Sequence, residues 1–123
     1  NALFVGAKLA RARLARASLR QAIFMESDLS EADLSGADMQ QAILQRALCA
    51  GARFVNADLT YADLSHADLT SADLSGAKLF RAKLHRIKGE GALFTDRSAV
   101  LGDDPELAEA EDFQPPPAGA ETR

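Results

Sequence analysis

The sequence predicts an all-β solenoid of square cross-section, a coil whose backbone turns a corner every five residues. Three observations predict it: an ungapped five-residue repeat from residue 2 to 86, two apolar columns held at fixed positions within that repeat, and the absence of proline before Pro105. Ala supplies 25 of the 123 residues and Leu 17, while aromatics make up only 6%, so the core is built from small and medium side chains. That length suits one small domain.

Written from Ala2 the chain reads ALFVG, AKLAR, ARLAR, ASLRQ, AIFME, SDLSE, ADLSG, ADMQQ and onward to AKLHR, 17 units in all. The first position is Ala in 16 of them, Ser27 being the exception, and the third is Leu in 12, with Phe4, Phe24, Phe54, Met39 and Cys49 filling the others. On an α-helix a five-residue step rotates about 500°, which scatters the Leu column around the cylinder. On a flat strand an odd step switches faces at every repeat. A corner at each repeat keeps both columns inside, and four corners close a coil of about 20 residues. Coils stacked at about 4.8 Å then bond their backbones to the coil above and below, which a proline would interrupt.

These residues resemble the pentapeptide repeat family, whose motif is A-(D/N)-L-x-x. The resemblance implies a right-handed quadrilateral β-helix of about four coils, with the Ala and Leu/Phe columns inward and the other three positions outward. The second position is Asp in seven units and never Asn.

The regular repeats decay at residues 87–91, where Gly89 stands in the Leu column, and Ala92, Leu93 and Phe94 give a last partial match. The solenoid is therefore expected over 1–96, with 87–96 degenerate. Residues 97–123 are read as a C-terminal cap and an acidic, proline-rich tail. Asp104 as N-cap and Pro105 at the first helical position predict a short helix that ends near Phe113 and lays Leu107, Ala110 and Phe113 over the last coil. Pro115, Pro116 and Pro117 then read as an extended tail. Asn1 opens the chain without Met, and Phe4 is already in register, so the expectation is the C-terminal portion of a larger protein, bacterial and cytoplasmic. No apolar run nears the roughly 18 residues of a membrane span.

The outward positions form columns 20 residues apart. Lys8, Asp28, Leu48, Asp68 and Lys88 make one, Arg13, Asp33, Arg53 and Asp73 another, and Ser18, Asp38, Asp58 and Lys78 a third, in which Asp38 and Asp58 are unfavourable neighbours. On the fourth side Leu3, Ile23 and Ile43 replace polar groups, with Val5 and Met25 beside them. An exposed apolar stripe of this kind marks an interaction site, so these five residues are the candidate protein-docking face. The expected function is a non-catalytic interaction or scaffold module with a protein partner, and an uncovered solenoid end also admits a homodimer.

The alternative comes from the resemblance: some family members mimic DNA and protect DNA gyrase. Mimicry needs an acidic surface, yet residues 1–86 carry 11 Lys/Arg against 9 Asp/Glu, and the net charge of −4 arises in the tail. No cofactor or metal is expected. One cysteine excludes an internal disulfide, and Cys49 reads as a small core residue. His66 and His85 are placed one coil apart on the surface, without the carboxylates or nucleophile that catalysis needs. Direct nucleic-acid binding by Arg11, Arg13, Arg16 and Arg20 is not expected, since they point to different sides with no aromatic residue interleaved.

Overall fold

A computed structural model describes residues 2–95. The predicted cap residues Leu107, Ala110 and Phe113 and the proline-rich tail lie outside the described residues. Within them the backbone winds as a square coil. From Leu3 to Asp73 the second residue of each unit pairs in parallel with the residue 20 further on, as Leu3 with Ile23, Ile23 with Ile43, Ile43 with Asp63 and Asp63 with Lys83. Four complete coils (2–21, 22–41, 42–61, 62–81) and most of a fifth follow from that register. Each side holds so few extended residues before the next corner that the ladder consists mainly of single bridges. Two short strands form among the described residues, β1 (Asp73–Leu74) and β2 (Leu93–Phe94), paired in parallel with Asp73 opposite Leu93.

Where a unit has a described coil on both sides its backbone is satisfied in a fixed way, and one unit serves as the example. Ile43 N–H donates to Ala22 O on the preceding coil (2.9 Å), Leu44 N–H to Asp63 O (2.7 Å) and Arg46 N–H to Ser65 O (3.0 Å) on the following coil. Ala47 N–H closes the corner onto Leu44 O (3.0 Å). The fifth residue of every unit from Gly6 to Gly91 has a positive φ, between 52° and 71°. With the corner bond, this is the signature of a type II turn. Five of these residues are glycine and 13 are not. Left-handed backbone costs a non-glycine residue about 1–2 kcal/mol, so the interlocking ladder offsets strain at most corners.

The two apolar columns fill the interior. From Ala22 to Leu74 every first and third residue is buried, Leu44 and Leu64 completely, while Phe4, Leu9 and Leu14 at the first coil are only partly covered. Phe4 and Phe24 stack with ring centroids 4.9 Å apart and planes 8° apart, showing directly how residues 20 apart become vertical neighbours. Ser27, the exception in the Ala column, is fully buried, and its hydroxyl donates to Phe4 O. A polar atom is thus accommodated in the core by a carbonyl within reach. Cys49 is buried in the Leu column, as expected, and burial, followed by the charges of Asp68 and Asp28, pushes its thiol up to about 12. It is a protonated, unreactive core group at physiological pH.

Candidate protein-docking surface

The four sides are numbered here by their second-position columns: side 1 carries Leu3, Ile23, Ile43, Asp63 and Lys83; side 2 starts at Lys8, side 3 at Arg13 and side 4 at Ser18. The structure brings the five predicted docking residues together. Leu3, Ile23 and Ile43 are consecutive bridge partners on side 1, and Gly6 N–H donates to Met25 O (3.0 Å), which sets Met25 next to the first corner. Leu3 is 69% exposed and Val5 52%, whereas Ile23, Met25 and Ile43 are half-buried. The stripe is thus most open at the first coil. It ends at Asp63, whose carboxylate accepts from Gln45 Nε2 (2.7 Å) and Ser65 N–H (3.0 Å).

The second-position aspartates do more than carry charge. All seven accept a hydrogen bond from the backbone N–H two residues on: Asp28 from Ser30, Asp33 from Ser35, Asp38 from Gln40, Asp58 from Thr60, Asp63 from Ser65, Asp68 from Thr70 and Asp73 from Ser75. This is the fourth-position N–H, the one that the inter-coil ladder leaves over. The arrangement is an Asx turn, and its signal in the sequence is the recurring Asp-Leu-Ser and Asp-Leu-Thr. Asp58 and Asp68 also accept from the hydroxyls of Thr60 and Thr70 (2.6 Å each).

Hydrogen bonds from Ser30, Ser35, Thr70 and Ser75 hold the carboxyls of Asp28, Asp33, Asp68 and Asp73 below the usual range. For Asp63, burial is the largest single influence and raises it, but Ser65, Gln45 and Lys83 together bring it below its ordinary value. Asp38 and Asp58, expected to repel, are bridge partners. Each is turned onto its own following backbone, and Arg20 Nε stands 3.7 Å from Asp38.

The histidines depart from their expected setting. His66 N–H donates to His85 O (2.9 Å) and the rings meet edge-on, centroids 5.4 Å apart at 85°. His85 is 3% exposed, so it is a packed residue and not a surface one. The physical reason is the corner, where the fifth residue of one coil lies beside the fourth residue of the next. Among the described residues no group of three or more His, Cys, Asp and Glu is arranged to hold a metal ion, and no helix is long and apolar enough to cross a membrane.

Two surface features have no counterpart in the sequence reading. The same corner offset joins Tyr61, 56% exposed, to Phe80, 53% exposed, as an edge-on pair with centroids 5.9 Å apart. On side 3 an open depression of about 650 Å³ forms where Gly36 stands between Arg16 and Asn56, with Asp33, Arg53 and Val55 on its walls. Its charges are of both signs, and Arg53 contributes to keeping Asp33 ionised.

The pentapeptide repeats family model matches residues 2–41 and 47–86 in eight copies. A pentapeptide repeat protein (Rfr23) from the cyanobacterium Cyanothece is 31% identical, with a TM-score of 0.59 over 80% of this chain and 62% of its own. A pentapeptide repeat protein from the Arabidopsis thaliana thylakoid lumen is 34% identical, with a TM-score of 0.63 over 70% of this chain and 58% of its own. The chain therefore spans about three-fifths of the length of these two relatives. QnrB1, a plasmid-mediated fluoroquinolone resistance protein, is 18% identical with a TM-score of 0.35, over 90% of this chain and 85% of its own. No curated protein matches the chain. The repeat match and the register of 20 together establish a right-handed quadrilateral β-helix, and the chain belongs to the pentapeptide repeat family.

Proposed function

We propose that this β-helix is a non-catalytic interaction module that holds a protein partner against the apolar stripe of side 1. The observation that carries the reading is the unbroken column Leu3–Ile23–Ile43, most exposed at Leu3 and flanked by the exposed Val5. On the other sides, the second positions of the same coils are mainly charged. Burying such a stripe contributes roughly 25 cal/mol per Å² of apolar surface removed from water, and it needs no movement of a backbone already fixed by its ladder. The reading places the partner on a rigid side wall. Gyrase protection by DNA mimicry is the weaker reading: the acidic groups from Glu26 to Asp73 lie between a first coil made basic by Lys8, Arg11, Arg13, Arg16 and Arg20 and a last described coil made basic by Lys83, Arg86 and Lys88.

Ile23→Asp with Ile43→Asp tests the docking face. Asp is the residue that seven other units carry at this position, so the substitutions suit the fold, and the β-type circular dichroism should be unchanged. Capture of a partner from lysate of the source cells, quantified by mass spectrometry, should fall to background for the double variant. A partner retained at the wild-type level would remove side 1 as the docking face.

A further inference from the structure

The exposed aromatic pair at the corner between sides 4 and 1 is independent of the stripe. Tyr61 and Phe80 present more than half of their surface to water while contacting each other edge-on. Of the other described aromatics, Phe24 and Phe54 are fully buried and Phe4 and Phe94 are partly buried against the core. Three cations surround the pair in the sequence and register: Lys78 two residues before Phe80, Arg81 next to it and one coil on from Tyr61, and Lys83 two residues further. The acidic groups on these columns are Asp38, Asp58 and Asp63, of which Asp58 and Asp63 are the bridge partners of Lys78 and Lys83. The corner column of Arg81, made of Gln21, Gln41 and Tyr61, contains no acid. Exposed aromatics beside arginine are the composition of a binding hot spot, and the charge calls for an acidic occupant.

The chain itself holds a segment of that chemistry. Residues 103–113, DDPELAEAEDF, carry six acidic and no basic side chains together with Leu107 and Phe113. The described backbone ends at Thr95 on side 3, and the next side in the winding order is side 4, which carries Lys78 and Phe80. The eight residues from Thr95 to Asp103 span up to about 26 Å when extended, at about 3.3 Å each, enough to turn one corner. We propose that residues 103–113, in place of the cap over the last coil that their sequence alone predicts, dock in the same molecule on the Tyr61–Phe80 pair, Leu107 and Phe113 covering the rings and the acidic side chains facing Lys78, Arg81 and Lys83.

Tyr61 is the only tyrosine and the chain has no tryptophan, so intrinsic fluorescence of the full chain reports on this site alone. Acrylamide quenching of Tyr61 should rise about twofold or more in the full-length Leu107→Asp/Phe113→Asp variant, as expected when a mostly docked population becomes mostly undocked. Both positions lie outside the repeats, so the β-type circular dichroism should not move. Arg81→Glu should raise quenching in the same direction; the fifth position accepts Glu at Glu26 and Glu31. Equal quenching of wild type and the double variant would overturn the proposal, and an Arg81→Glu value at the wild-type level would overturn its electrostatic part. Protection that disappears on dilution from 100 to 1 μM would assign the site to a second copy of the chain, overturning docking within one molecule.

Discussion

At the residue scale the aspartates show how charge and backbone chemistry are joined in one side chain. Thr70 N–H and the Thr70 hydroxyl both end on Asp68 Oδ1, at 3.0 and 2.6 Å. Asp68→Ala removes the acceptor from both, and the loss should be about 1 kcal/mol, the order found for capping side chains. Asp68→Asn keeps an oxygen at the same place and should lose less than half as much; thermal unfolding of the two variants decides it. Equal losses would mean that the carboxylate acts through its charge on Lys88, which also contributes to its lowered pKa.

The pH dependence follows with its sign. Asp28, Asp33, Asp63, Asp68 and Asp73 all titrate below the value of 3.8 that they have when unfolded. Their contribution is fully present above that value and is lost as the pH falls through the lower folded values. The unfolding midpoint should therefore respond little to these groups above about pH 5 and drop progressively below about pH 4. A rise in the midpoint on acidification below pH 4 would contradict the assignment.

At the element scale the repeating unit is a short extended piece and a corner, and the two were not equally legible in the sequence. The Ala and Leu columns could be read because burial restricts them at every repeat: a buried third position accepts Leu, Phe, Met or Cys and no charge. The register of 20 followed from the columns. The corner contacts were hidden because they run at an offset of 19, the fifth residue of one coil meeting the fourth of the next. Tyr61 with Phe80 and His66 with His85 are both such pairs. Columns read 20 apart separate these partners, which hides the Tyr61–Phe80 pair and makes the packed His85 read as a surface residue. The aspartate bonds were hidden for a different reason, since an outward carboxylate reads as solvated charge unless the leftover fourth-position N–H is counted.

The corners also carry a prediction. Gly76 has φ +71°, and a Cβ there would stand 2.1 Å from Asn56 Oδ1, whereas a Cβ on Gly6, φ +66°, would meet nothing within 4 Å. Both Gly→Ala changes incur the left-handed penalty of about 1 kcal/mol, and Gly76→Ala adds the displacement of the Asn56 side chain. Asn56→Ala in the Gly76→Ala background should recover the added part, measured by denaturant unfolding. A Gly76→Ala loss no larger than that of Gly6→Ala would show that the asparagine moves without penalty.

At the scale of the whole molecule, stability is a sum over neighbouring coils, because each coil bonds only to the one before and the one after. Chain length in multiples of 20 is therefore nearly free to vary, while length in single residues is not. Removal of residues 42–61 joins Gln41 to Ala62 and brings Ile23 opposite Asp63, Asp28 opposite Asp68, Asp33 opposite Asp73 and Asp38 opposite Lys78. Both apolar columns stay continuous across the junction. This variant should retain the β-type circular dichroism and a cooperative transition at a lower midpoint, with its length along the axis reduced by about 4.8 Å. Deleting Leu44 alone should be far more damaging although only one side chain is lost. Every later residue moves one place along the frame, so that Asp63 and Asp68 fall in the Ala column and Ala62 and Ala67 take corner positions. Buried charges of that kind cost several kcal/mol each, against a total stability of about 5–15 kcal/mol for a domain. The one-residue deletion should therefore be largely unfolded under conditions where the 20-residue deletion is folded, and circular dichroism with size-exclusion chromatography of the two would reveal the reverse order if the coil did not set the register.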